Sequence, residues 1–450
     1  MIHKFEIDGA RIVLDVNSGS VHVFDDIAWD VVEDYAEGQR AAVLAKWGAK
    51  YSSELINETL DELDILRSEG TLWAIDNTMQ EYALPEQPIL KSLCLHVAHD
   101  CNLRCGYCFA GEGHFGGDRT LMNVETGKAA IDLLIEKSQG RRNCEIDFFG
   151  GEPLLNFKVV QELVEYGRAK AAEKNKEFKF TLTTNAVLLD DHITQWLNDN
   201  DISVVLSLDG RQGINDKMRT YIDGTGCYDD IVPNIKQFVD SRDNEGYYVR
   251  GTYTRHNVDF SQDVQHMVEL GFKHVSVEPV VGPEQEAYAL QEEQIPTLQA
   301  EYEKLTKYFL AREAQGQPFT FFHFNLDLTG GPCLPKRLSG CGAGHEYLAV
   351  SPEGKLYPCH QFVGQEDFLV GDVFTKQINY SLAKRFQQAH VYNKPACNSC
   401  WAKFYCSGGC HANAYGANKD ILQPYTIGCE LEKKRLECAI YIQVKKAGLA

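Results

Sequence analysis

The chain has 450 residues, 44% of them hydrophobic and 24% charged, a composition that supports a large buried core over about two to four domains and excludes general disorder. Its formal charge of −20 repels a phosphate backbone, and no Lys/Arg stripe interleaved with aromatics offsets it, so no nucleic-acid partner is expected. Met1 to Asp8 lacks the apolar core of a signal peptide and no membrane-length apolar run follows, so we expect a cytoplasmic protein with no membrane partner, where 15 cysteines point to metal rather than to disulfides.

In chain order, two short strands are expected first, Arg11 to Val16 and Val21 to Phe24, joined by the turn-forming run Asn17-Ser18-Gly19-Ser20. A helical face follows in Ile27, Val31, Val32 and Tyr35, then a helix over Ala41 to Trp47, a third over Leu55 to Leu66, and a strand at Gly70-Thr71-Leu72-Trp73. That order suggests a winged-helix-like module over residues 1–80. Asn77, Pro85 and Pro88 stand among few aliphatics, which places a linker at 81–88.

From Ile89 onward strands and helices alternate. Strands are expected at 92–98, 145–149, 178–184, 202–208, 247–254 and 274–280, with helices at 124–138, 158–173, 190–199, 230–242, 262–270 and 293–313. Six β/α units imply a parallel sheet curled into a partial barrel over 89–315, with ligands collecting at the C-terminal strand ends. Beyond about residue 325 Cys, Gly, Pro and aromatics dominate, so residues 316–450 need a source of stability other than an apolar core, and metal clusters would supply it.

The loop after the first barrel strand reads Cys101-Asn102-Leu103-Arg104-Cys105-Gly106-Tyr107-Cys108. A closed zinc site takes a fourth protein ligand, whereas a 4Fe-4S cube held by three thiolates leaves one iron open to chelate a small molecule. The spacing C-x3-C-x2-C, with an aromatic before the last Cys, resembles the signature of the radical SAM superfamily; the plainer readings are a zinc knuckle or three core thiols. Gly150-Gly151-Glu152-Pro153, ending the second strand, resembles the motif whose backbone and carboxylate hold the amino group of S-adenosylmethionine (SAM), though alone it is only a turn. By the same resemblance Thr184-Asn185, Ser207 and Arg219 supply ribose hydroxyl contacts and a cation for the SAM carboxylate, against capping or a surface ion pair as the plainer alternative. Tyr107 and Phe109 are candidates to pack on the adenine.

A second constellation comprises Cys341, Gly354-x4-Cys359, Cys397-x2-Cys400-x5-Cys406-x3-Cys410 and Cys429. It resembles the SPASM domain of radical SAM enzymes that modify peptides, with a zinc ribbon as the alternative. The resemblance implies one auxiliary 4Fe-4S cluster on Cys341, Cys359 and Cys410 and another on Cys397, Cys400, Cys406 and Cys429, three clusters in all. Two auxiliary cubes want about eight ligands and this set supplies seven, so one iron is open to a substrate thiolate or is closed by Cys333. Cys94, Cys144, Cys227 and Cys438 match no motif and read as core residues.

The whole arrangement, an α/β partial (β/α)6 radical SAM barrel between an N-terminal winged-helix-like module and a C-terminal Fe-S-rich SPASM domain, resembles maturases of ribosomally made peptides, and within them the SCIFF maturase group of thioether (sactionine) synthases. That resemblance implies an N-terminal recognition element for the leader of a Cys-rich precursor peptide around Arg11 to Phe24 and Leu55 to Leu66, and an external reductant of ferredoxin or flavodoxin type. It also implies a 5'-deoxyadenosyl radical that takes a hydrogen from peptide Cα before a peptide Cys sulfur closes on that carbon. Two rivals stand beside it. Anaerobic sulfatase maturases share barrel and SPASM domain but carry Asp where this chain has His360, and a non-enzymatic, zinc-stabilised peptide-binding scaffold would use only the outer domains.

Overall fold

The computed structural model describes residues 1–78, 86, 89–328 and 334–449. Cys333 lies outside the described residues, and so does the expected linker 81–88 apart from Glu86.

The N-terminal module begins with three antiparallel strands in the order β1 (Ile2–Ile7), β2 (Ala10–Asp15) and β3 (Val21–Val23). The sequence reading had missed β1. It pairs along its full length with β2 across a tight turn in which Asp8 and Gly9 both take positive φ, the geometry that matches the twist of two joined strands. Helices Asp26–Val31, Arg40–Trp47 and Ser53–Ser68 follow and close a small core of Val13, Val31, Val43, Ile56, Leu60 and Leu72. The strand expected at Gly70 to Trp73 does not form: Trp73 sits at φ +54, outside extended backbone, and the chain turns there with Leu72 buried.

Six parallel strands then run in sequence order, β4 (Ser92–Ala98), β5 (Asn143–Gly150), β6 (Glu177–Thr184), β7 (Ser203–Ser207), β8 (Tyr247–Tyr253) and β9 (His274–Pro279), separated by helices as the alternation required. β10 (Thr320–Phe321) adds beside β9, and on the opposite edge β11 (Tyr347–Val350) pairs parallel with β4 before β12 (Lys355–Tyr357) and β13 (Gly371–Asp372) continue antiparallel. The Cys-rich C-terminal part is therefore hydrogen-bonded into the same ten-stranded sheet, next to the strand that feeds the Cys101 loop. No helix among the described residues is long and apolar enough to cross a membrane.

Candidate functional site

An open cleft of about 700 Å³ lies at the C-terminal ends of β4 to β7. Cys101, Cys105, Tyr107 and Cys108 reach it from the loop after β4, Gly150, Gly151 and Glu152 from the end of β5, Thr184 and Asn185 from the end of β6, Ser207 from β7 and Arg219 from just past the helix Gln212–Met218. Every residue expected at the first cluster and at SAM thus lines one cavity. The helix Gln212–Met218 itself was not anticipated, because Gly213, Asn215 and Asp216 are weak helix formers. It nonetheless holds the cysteine loop, since Arg104 N–H donates to Thr220 O and Gly106 N–H to Met218 O, each at 2.7 Å.

Two glycines explain how thiol loop and β5 come so close. Gly150 has φ +136, and a Cβ there would stand 2.2 Å from Ala98 O; one on Gly151 would stand 2.2 Å from Asp100 O. No side chain fits, so the strand end lies directly under the cysteines. Glu152 is buried beneath and accepts from Leu154 N at 3.0 Å, Thr184 Oγ1 at 2.8 Å and Asn185 N at 2.8 Å. Burial, acting against those three bonds, lifts its carboxyl to about 7.

Across the cleft Arg219 is buried, its Nη1 donating to the Tyr107 hydroxyl at 3.1 Å, while that hydroxyl donates to Asp209 Oδ2 at 2.6 Å. Arg219 Nε is buried and has no hydrogen-bond partner among the described residues. A carboxylate and a guanidinium with spare capacity, facing one cavity, suit an amino acid's ammonium and carboxylate together. Asp209, two residues past Ser207, is the member of this network to which the sequence analysis gives no role. Asn102 is another: it accepts from Asn185 Nδ2 at 2.7 Å and ties the cysteine loop to the end of β6.

Three thiols, Cys101, Cys105 and Cys108, line the one cleft, a donor set of the kind that holds an iron-sulfur cube with one iron left open. Burial pushes the Cys101 thiol up to about 11 and the Cys105 thiol to about 12, and the loop's other thiols push the same way. Such thiols become thiolates when metal replaces their protons. The C-terminal cysteines sort themselves likewise. Burial raises Cys359, with Cys410 and Cys341 adding to it; burial raises Cys406 to about 11, with Cys429, Cys397 and Cys400 adding to it. These interactions group Cys341, Cys359 and Cys410 on one side and Cys397, Cys400, Cys406 and Cys429 on the other. Cys94, Cys144, Cys227 and Cys438 are buried.

His360, beside Cys359, faces the cleft wall: its ring lies 5.1 Å from that of Phe149 and 5.6 Å from that of Phe109, and its Nδ1 is 3.2 Å from the Tyr347 hydroxyl. Burial, aided by Arg250, lowers it to about 4. It is a neutral base between one auxiliary thiol set and the cleft.

Comparison with known proteins agrees with this geometry. Residues 92–223 match the 4Fe-4S single cluster domain and residues 341–401 the iron-sulfur cluster-binding SPASM domain. An uncharacterized protein of Methanocaldococcus jannaschii is 30% identical over 188 residues, 42% of this chain and 62% of that one. A cysteine-type anaerobic sulfatase-maturating enzyme of Clostridium novyi is 23% identical over 344 residues, 72% of this chain and 89% of that one. The crystal structure of Streptococcus suis SuiB bound to S-adenosylmethionine shares the fold with a TM-score of 0.55 and 17% identity, over 95% of this chain and 98% of that one. That cover leaves too few residues over to omit the N-terminal module. With three cysteines at the end of its first barrel strand and a second cysteine array on the same sheet, this chain carries a 4Fe-4S single cluster domain and an iron-sulfur cluster-binding SPASM domain, which indicate 4Fe-4S clusters and SAM as its cofactors.

Proposed function

We propose that the chain is a maturase that forms Cys sulfur-to-carbon thioether cross-links, through Cα, in a ribosomally made, Cys-rich precursor peptide. The observation that carries this reading is the N-terminal module, a three-stranded sheet whose last strand, β3, has an edge unpaired among the described residues, where a leader peptide could add as a further strand. SuiB, whose fold spans the same module, has been crystallised bound to its precursor peptide SuiA. Sequence resemblance to the SCIFF maturase group supplies the thioether assignment.

Cluster and SAM together would supply a 5'-deoxyadenosyl radical, with one electron coming from a ferredoxin- or flavodoxin-type reductant. The chain's own residues do the rest. Glu152 holds the SAM ammonium, and Arg219, aimed by Tyr107 and Asp209, holds its carboxylate. Thr184, Asn185 and Ser207 face the ribose. His360 stands between the Cys359 thiol set and the cleft as a neutral ring, since burial disfavours its protonated form.

Sulfatase maturation is the alternative that relatives such as the Clostridium novyi enzyme raise. His360 in place of an acid counts against it. The deciding experiment is mass spectrometry of the precursor peptide after anaerobic turnover with SAM and reductant. Loss of two hydrogens per cross-link with the sulfur retained is the expected result; replacement of a Cys or Ser side chain by an aldehyde would establish the sulfatase-type reaction instead.

A further inference from the structure

Lys394 stands three residues before Cys397 and is fully buried, at 0% exposure. Its ammonium donates to Gly408 O at 2.7 Å and to His411 Nδ1 at 3.3 Å, and among the described residues it forms no ion pair with a carboxylate. A lysine in this position is anomalous, because an ammonium withdrawn from water needs a compensating charge or it gives up its proton. Gly408 lies in the stretch that joins Cys406, of one thiol set, to Cys410, of the other, and His411 follows Cys410 directly. Lys394 O in turn accepts from Cys397 N at 2.9 Å, so the residue ties the loop of one thiol set to the stretch between the two. With no carboxylate beside it, the counter-charge open to the ammonium is that of the two thiol sets once they hold metal.

We propose that Lys394 is a fixed cation shared by the two C-terminal clusters, raising the reduction potential of both so that they accept electrons released at the cleft. Taking up one electron adds one negative charge to a cube, and a buried positive charge beside it stabilises the reduced form over the oxidised one. Sharing has a second consequence: reduction of one cluster consumes part of the ammonium's attraction, so the second electron enters the other cluster less readily. Lysine suits the place because its charge is compact and reaches the carbonyl of Gly408 at 2.7 Å. His411 Nδ1 takes the second hydrogen bond of the ammonium, which keeps that nitrogen unprotonated. The inference rests on the cluster assignment and not on thioether formation.

The test uses the full chain, reconstituted anaerobically, in its native form and as Lys394→Met and Lys394→Gln. Iron and sulfide counting comes first, with about twelve irons expected from three cubes. Redox titration followed by EPR then reads the midpoints. In both variants the two auxiliary midpoints should move to more negative potential, while the midpoint of the Cys101, Cys105 and Cys108 cluster, to whose loop the Lys394 ammonium donates no hydrogen bond, stays where it was. Lys394→Gln keeps a donor for Gly408 O without the charge, so it separates charge from packing and decides the matter if the Met variant loses metal. Unchanged auxiliary midpoints in an iron-replete variant overturn the proposal. Loss of about four irons in both variants also overturns it, by making Lys394 a brace for the cysteine loop.

Discussion

Glu152 is a carboxyl whose pKa falls in the working range of the protein, and the sign of the effect follows from what holds it. Burial raises the group to about 7 against the hydrogen bonds from Leu154, Asn185 and Thr184, so below that pH the site holds a neutral acid and above it an anion. An ammonium ligand needs the anion. SAM affinity, measured by anaerobic calorimetry on reconstituted protein, should therefore strengthen several-fold between pH 6 and 7.5, and Glu152→Gln should bind more weakly with a flat profile. The same shift makes the ligand-free fold lose stability as pH rises from the ordinary carboxylate range towards 7, because the folded state keeps a proton the unfolded chain has released. Tyr107→Phe tests the opposite wall. It removes the hydroxyl between Asp209 and Arg219, and a buried carboxylate left without that donor costs about 1–3 kcal/mol, read as a lower denaturation midpoint together with weaker SAM binding.

At the scale of elements, the close approach of β5 to the cysteine loop is enforced by glycine. Gly151→Ala drives a methyl into Asp100 O and against Cys101, with no flexible side chain to give way, so the loop must shift. The expected result is a folded chain holding about eight irons instead of about twelve, with the C-terminal clusters intact. β3 offers a subtler test. Phe24 N–H donates inward to Arg11 O, so by strand alternation the N–H of Val23 points to the open edge. Val23→Pro removes that donor while leaving the inner ladder, and leader-peptide binding by fluorescence anisotropy should fall about tenfold or more at nearly unchanged Tm. The six barrel strands were legible in the sequence because each is a short apolar or alternating segment rich in β-branched and aromatic residues set between helical patterns, and the site was legible because its groups sit at those strand ends. β1 was not, since the alternation over Met1 to Asp8 was weighed only against an apolar signal segment. β10 and β11 were not legible either: two and four residues long, they are defined by their partners β9 and β4 and not by any pattern of their own. Asp209 and Asn102 escaped notice because hydrogen bonds between distant loops leave no periodic trace.

In the whole molecule the N-terminal module is clamped to the loop of Cys397, Cys400 and Cys406. His3 stacks on Trp401 with ring centroids 3.7 Å apart, and Asp76 accepts from Lys403 Nζ at 2.9 Å and from the Tyr392 hydroxyl at 2.7 Å. Burial works to raise the Asp76 carboxyl, yet Tyr392 and Lys403 outweigh it and bring it down to about 2. A lowered carboxyl contributes stability that is fully present above its unfolded value near 3.8 and is lost as pH falls towards 2, so this clamp is intact at neutral pH. Its role in the proposed reaction is one of distance: a leader bound at β3 is delivered to the cleft from a fixed origin only if the module cannot swing. Asp76→Ala leaves Lys403, itself 5% exposed, without its partner and should cost on the order of 1–3 kcal/mol, discounted because the Asp76 side chain is partly solvated. Leader affinity should survive, because β3 is untouched. Peptide turnover should fall by about ten- to a hundredfold, since an angstrom of misplacement carries that penalty, while SAM binding stays constant. Equal losses of affinity and turnover would show instead that the module binds the leader only when docked, and the clamp would then belong to recognition and not to delivery.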